Sequence, residues 1–396
     1  MKLAFRKETA VSHPALLFCW QMQLDDDGET AASTGSRQAV VCGNMYAQGA
    51  ETWLKPSIMN LGRLLKGGKV LGMPSEQFDG NLVKRLIAHI QHNGLPSITT
   101  LYLLGLDHAS HQQGPQAQRG YLVLHVDRLL GTLWAEIEAQ GKTGETLVAL
   151  FSDHGQIEVI KDDRHSIRIG FPFDQELTPF FTALGLDVHD FPGEAPNCDA
   201  VMALNGGSAS VYLHNTQGKW ADAPEFSNVL RVGRAFWQAH ETGELAPDLR
   251  NALAAVLVRN VESNGWGAPF NALLPNGEMV PLAHWAAQQE NGRFADATNR
   301  INNATGKLSG DIWLLSNYAD GYYFGKELVG MHGGLHVEDS QATLAFGWPK
   351  ASPKAWEELK AEMGMAIAER CAKENGRLPN ITDLVTGLET AVDWLK

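Results

Sequence analysis

The chain is short of cysteine: only Cys19, Cys42, Cys198 and Cys371 occur in 396 residues, far apart and without a CxxC pair. That scarcity argues against a disulfide framework and against a thiolate zinc site, leaving room for an isolated bridge at most. Basic residues are also few, with 32 Lys and Arg against 45 Asp and Glu and a formal net charge of −13. Such a balance argues against a nucleic-acid backbone or an anionic membrane surface as the main partner. An anionic small molecule stays open, because a bound cation reverses the local field inside an acidic protein. No apolar run approaches the roughly 20 residues that cross a bilayer. The apolar stretch at 15–20 is too short for a signal-peptide core, and no cleavage pattern follows it. The expectation is a soluble chain, cytoplasmic as written. There is no internal repeat and no low-complexity segment. Hydrophobic residues make up 44% of the chain, enough at this length for a large core.

The hydrophobic pattern supplies the organisation. Strands are expected at 15–20 and 38–43, and a helix at 58–65 is stopped by Gly67 and Gly68. A short strand at 69–73 follows, then a helix at 81–92 with Leu82, Leu86, Ile87 and Ile90 on one face. Next come a strand at 98–106, a helix at 121–139 and an all-apolar strand at 146–151, which suits a sheet covered on both faces. This βαβ grammar predicts an α/β three-layer sandwich, its central sheet mostly parallel and covered by helices on both faces. One domain over 1–396 is expected, with 160–300 a variable insert or cap. Within that insert Asn205-Gly206-Gly207 predicts a hairpin joining strands at 200–204 and 208–213, and helices are expected near 226–240 and 248–258. Strands at 311–316 and 342–347 and helices at 354–374 and 381–388 complete the reading.

Three segments carry chemistry. Asp107 and His111, four residues apart, follow the strand at 98–106 and are expected in a polar turn. Asp153-His154-Gly155 follows the strand at 146–151, and ligands of an open parallel sheet bind beyond the carboxyl ends of its strands. His332 lies among glycines, before the strand at 342–347. Together they offer nitrogen and oxygen donors suited to zinc, with manganese or iron as alternatives. Taken singly, each has a plain structural explanation: Asp107 caps a turn and His111 hydrogen-bonds in a loop. The three in this order outweigh it.

The order Asp107-xxx-His111 with Gly114-Pro115, then Asp153-His154-Gly155, then His332-Gly333 resembles the alkaline phosphatase superfamily. More narrowly, it is similar to the type I phosphodiesterase/nucleotide pyrophosphatase branch. Tyr121, Val126-Asp127 and Leu130-Gly131 resemble the helix after the first metal motif. Lys55-Pro56-Ser57-Ile58 through Gly68-Lys69-Val70 resembles the approach to it, and Gly310-Asp311-Ile312 and Trp348-Pro349 flank the last motif similarly. The likeness is good over 55–160 and 305–350 and loose over 160–300.

The resemblance implies two divalent ions, zinc first, with Asp107, His111 and His332 on one and Asp153 and His154 among the ligands of the other. It implies a small-molecule phosphate mono- or diester as substrate. Phosphonate or sulfate ester hydrolysis, a phosphate-transferring mutase, or an inactive member that holds metal without turnover are the alternatives. The family also implies a Thr or Ser nucleophile at a helix start and a further upstream aspartate. Neither stands out before Asp107: Thr9, with His13 and Pro14 after it, echoes the nucleophile helix only faintly, and Thr30, Ser33 and Thr34 are no better. The expectation is a chain lacking the family's N-terminal segment. His336 is the rival of His332, which its glycine neighbours favour. His108 stands at the wrong offset for a ligand, Asp162, Asp163 and His165 suit a solvated turn, and Asp311 suits a strand cap.

Overall fold

The computed structural model describes residues 16–21, 39–44, 50–65, 72–169, 177–189, 198–289, 293–374 and 376–394, with the backbone alone at 16–21. Thr9, Thr30, Ser33 and Thr34 lie outside them, as does most of the strand expected at 69–73. The chain divides into two compact units, Met1–Gly155 with Ala342–Lys396, and Gln156–Gln341. The stretch 160–300 falls inside the second.

The first unit is built on a six-stranded sheet. Strands β1 (Leu16–Gln21), β2 (Ala39–Cys42), β3 (Thr52–Leu54), β4 (Ile98–Tyr102) and β5 (Thr146–Phe151) join a final strand, Leu344–Gly347, in the order Leu344–Gly347, β5, β1, β4, β2, β3. The expected mostly parallel sheet is corrected here. β1 pairs antiparallel with both β4 and β5, Leu344–Gly347 pairs antiparallel with β5, and only β2–β4 and β2–β3 are parallel. β4 and β5 still point the same way, as the helical crossover between them requires, but β1 lies between them in the opposite sense. An apolar run records burial and carries no strand direction.

Helices cover both faces of this sheet because β5 alternates. Leu147, Ala149 and Phe151 pack with Leu359, Met363, Leu384 and Leu388 of the helices Pro353–Lys373 and Asp383–Trp394. Val148 and Leu150 face the opposite cluster of Leu82, Leu86, Leu133 and Ile137. That cluster draws on α1 (Ile58–Leu65), α2 (Ser75–Asn93) and a helix over 117–139. The last contains a π-helical turn, Leu122–Val126, between Ala117–Tyr121 and Asp127–Ala139. Cys42, Cys198 and Cys371 are buried free thiols. Among the described residues no helix is long and apolar enough to cross a membrane.

The second unit carries a seven-stranded sheet with apolar clusters on both faces, one around Phe180, Phe181 and Phe236, the other around Leu257, Phe270, Trp285 and Ile301. The helix expected near 248–258 is a strand, Leu253–Arg259, buried between Phe270–Leu273 and Ile312–Ser316. A short apolar run fits a buried strand and a buried helix equally well, and here sheet pairing decides. The hairpin is as expected, with Ala200–Asn205 antiparallel to Ser208–Leu213.

Candidate metal centre

β4 stops at Tyr102, sooner than expected, and a helix, α3 (Gly105–Gln113), begins three residues later. Asp107 therefore sits in a helical first turn and not in a polar loop. Four-residue spacing on a helix puts two side chains on one face. Asp107 Oδ1 accordingly lies 3.3 Å from His111 Nε2, with 12% of the aspartate and 17% of the histidine side chain exposed.

Beyond β5 the chain is fixed by a bond from the Ser152 amide to the Thr343 carbonyl, 3.0 Å, and one from the Thr343 amide to Ser152 Oγ, 2.9 Å. Asp153 and His154 follow. His154 Nδ1 is 2.8 Å from the Gly155 carbonyl oxygen. A carbonyl only accepts, so Nδ1 carries the proton and Nε2 the lone pair. Nε2 is turned toward Asp153 Oδ1 at 3.5 Å. Ligand atoms of His154 and Asp107 lie within 4.8 Å of each other. The first unit thus carries four of the five candidate ligands, two carboxylates and two imidazoles, on α3 and in the turn after β5.

The electrostatics match a cation site. Both carboxylate oxygens of Asp153 are sealed from solvent, and neither has a hydrogen-bond partner among the described residues. Burial pushes its pKa up to about 7; the nearby amides of residues 153 and 154 oppose this and the Asp107 charge adds to it. A buried carboxylate with so little hydrogen bonding is costly when ionised, and a divalent ion removes the cost. The buried phenol of Tyr102 is raised by its burial and then by Asp153, Asp107 and Asp79, which brings a third carboxylate into the same field.

Asp79 escaped the sequence reading. It is fully buried in the first part of α2, accepting the Gly105 amide on Oδ1 at 3.0 Å and the Tyr121 hydroxyl on Oδ2 at 2.9 Å. Burial raises its pKa to about 7 despite those two bonds. A signal existed: Asp79 interrupts the stripe of Phe78, Leu82, Val83, Leu86 and Ile90, and a charge on an apolar face is the informative exception. His108 faces α2 as well, its Nδ1 3.0 Å from Ser75 Oγ.

In the second unit His332 follows the short strand Gly330–Met331, which pairs with Ile157–Glu158. Its backbone oxygen accepts from the Gly207 amide at 3.0 Å and the Tyr318 hydroxyl at 2.9 Å. Gly206 has φ +63, and a Cβ there would collide with the His332 oxygen; Gly333 has φ +94, and a Cβ would strike the Asn205 oxygen. His336 is 6% exposed, wedged against Phe294 and Tyr318, and burial followed by the Arg293 charge lowers its pKa to about 4. Asp162 pairs with His165 at 2.7 Å and Asp163 with Arg168 at 2.9 Å. Asp311 is buried, accepting the Leu213 amide at 2.9 Å.

The family model described as type I phosphodiesterase / nucleotide pyrophosphatase matches residues 57–252. The match includes Asp107, His111, Asp153 and His154 and stops short of His332. No curated protein matches the chain.

Proposed function

Residues 57–252 belong to the type I phosphodiesterase / nucleotide pyrophosphatase family of the alkaline phosphatase superfamily, and on that premise we propose that the protein hydrolyses a small-molecule phosphate ester at a two-metal site. Asp107 and His111 hold one divalent ion, zinc first, and Asp153 and His154 contribute to the second. The family order assigns His332 with Asp107 and His111, and His336 stays in the core. When bound, the ions polarise the phosphoryl group and stabilise the attacking and leaving oxygens. The chain's own contribution is placement. α3 sets Asp107 and His111 on one face, and the Gly155 carbonyl holds His154 as the tautomer whose Nε2 binds metal. The acidic surface is no obstacle, since the ions supply the positive charge that an anionic ester meets.

The observation that carries this reading is the sealed Asp153 carboxylate beside His154 and in the field of Asp107. Metal content of the purified chain, measured by mass spectrometry after growth with zinc, tests it together with hydrolysis of nitrophenyl mono- and diesters. Two ions falling to one in Asp153→Ala, with turnover lost, is the expected result. A chain that takes up no metal refutes the site, and metal without turnover identifies an inactive member.

A further inference from the structure

α3 begins without a cap of its own. The residue before it is Leu104, whose side chain accepts no hydrogen bond, so the first amides of the helix need acceptors from elsewhere. Asp79 supplies one from α2, taking the Gly105 amide on one oxygen. Its other oxygen takes the hydroxyl of Tyr121, which lies in the helix following α3. Gly105 is small for this reason: a Cβ there would collide with the Tyr121 hydroxyl and the Asp79 carboxylate. One turn on, Ser75 meets His108 at 3.0 Å, a second tie between the first turns of α2 and α3.

We infer that Asp79 is a positioning residue for the Asp107 and His111 ligand pair, fixing the start of α3 from a neighbouring helix so that both side chains meet one ion. This rests on the metal-site reading above. The two tied residues, Gly105 and His108, bracket Asp107, and His111 lies one turn further along the same helix. Without the carboxylate, the start of α3 has one tie instead of two, and Asp107 is free to turn with it. An ordinary core position favours an apolar side chain; a fully buried acid that binds two different elements does work that packing alone leaves undone.

The test measures zinc affinity of the metal-stripped full chain by chelator competition, in the wild type, Asp79→Ala, Asp79→Asn and Leu86→Ala. Asn keeps an acceptor for Gly105 and a partner for Tyr121, and Leu86 is a buried apolar residue of the same helix. Asp79→Ala is expected to weaken zinc binding about 10- to 100-fold, the range for residues that orient metal ligands. Asp79→Asn should recover most of that loss, and Leu86→Ala should bind zinc like the wild type. If Asp79→Ala proves too unstable, Tyr121→Phe removes one of the two bonds and should weaken binding a few-fold. Unchanged affinity in Asp79→Ala, or an equal loss in Leu86→Ala, overturns the inference while leaving the metal site standing. Amide exchange over residues 105–111 of the metal-free chain supplies the readout that does not depend on zinc. A wild type that binds no zinc refutes the site, and in that case unchanged protection in Asp79→Ala overturns the positioning role as well.

Discussion

The Asp107/His111 helix of the first unit and the His332 loop of the second hold their candidate ligands by different means. α3 is secured by side chains: Asp79 and Ser75 reach across from α2 to hold its first turn, and the Tyr121 hydroxyl braces Asp79. The His332 loop is held at its own backbone carbonyls: that of His332 takes the Gly207 amide and the Tyr318 hydroxyl, and that of Gly333 takes Ser208 Oγ at 2.7 Å. A side-chain clamp can be loosened by degrees, because an isostere keeps part of each bond. A backbone clamp that depends on missing Cβ atoms has no partial state.

The largest contrast should come from Gly206→Ala. The added methyl meets the His332 oxygen at a positive φ, so unfolding stability should drop by about 3–4 kcal/mol in a denaturant titration. A loss under about 1 kcal/mol shows that the loop yields, and the contrast with α3 disappears. Next comes Asp79→Asn, measured as stability against pH. The folded pKa of about 7 stands above the unfolded value near 3.9, so the folded state holds the proton more tightly. Wild-type stability from this group is greatest below pH 4, declines as pH rises to about 7, and is level above. The Asn variant lacks that decline, so its stability relative to wild type should rise across this window, by on the order of 2 kcal/mol. Parallel profiles mean that Asp79 is already ionised in the fold. The smallest effect belongs to Tyr318→Phe, which removes one hydrogen bond to the His332 carbonyl and should cost about 1 kcal/mol in thermal melts. A loss as large as that of Gly206→Ala makes Tyr318 the main support of the loop.

The candidate ligands could be picked out because they are local: Asp107 with His111, and Asp153 with His154, each sit within one turn of chain, at the end of an apolar run. The helix under Asp107 was not, because Gly105-Leu106 reads as a continuation of the strand before it, and only the Asp79 bond to the Gly105 amide reveals where the helix begins. β1 ran against the expected direction for a related reason, since alternation specifies which face is buried and leaves the sense of the strand to its neighbours. Leu253–Arg259 looked helical because apolar residues fill every position from 253 to 258, as suits a strand covered on both faces. Asp79 was visible only as an anomaly on a helical stripe, and its two partners come from later in the chain. His332 could be singled out by its glycines, but the hairpin that makes those glycines necessary lies over a hundred positions upstream.

The chain leaves the first unit after Gly155 and re-enters it at Ala342. Ser152 and Thr343, on either side of that departure, are joined by two hydrogen bonds, so the exit and the return are neighbours. Such an arrangement is what an inserted module needs: its stems are stapled together by the host. Loss of those two bonds would therefore release both stems of Gln156–Gln341 at once, without touching any contact inside it.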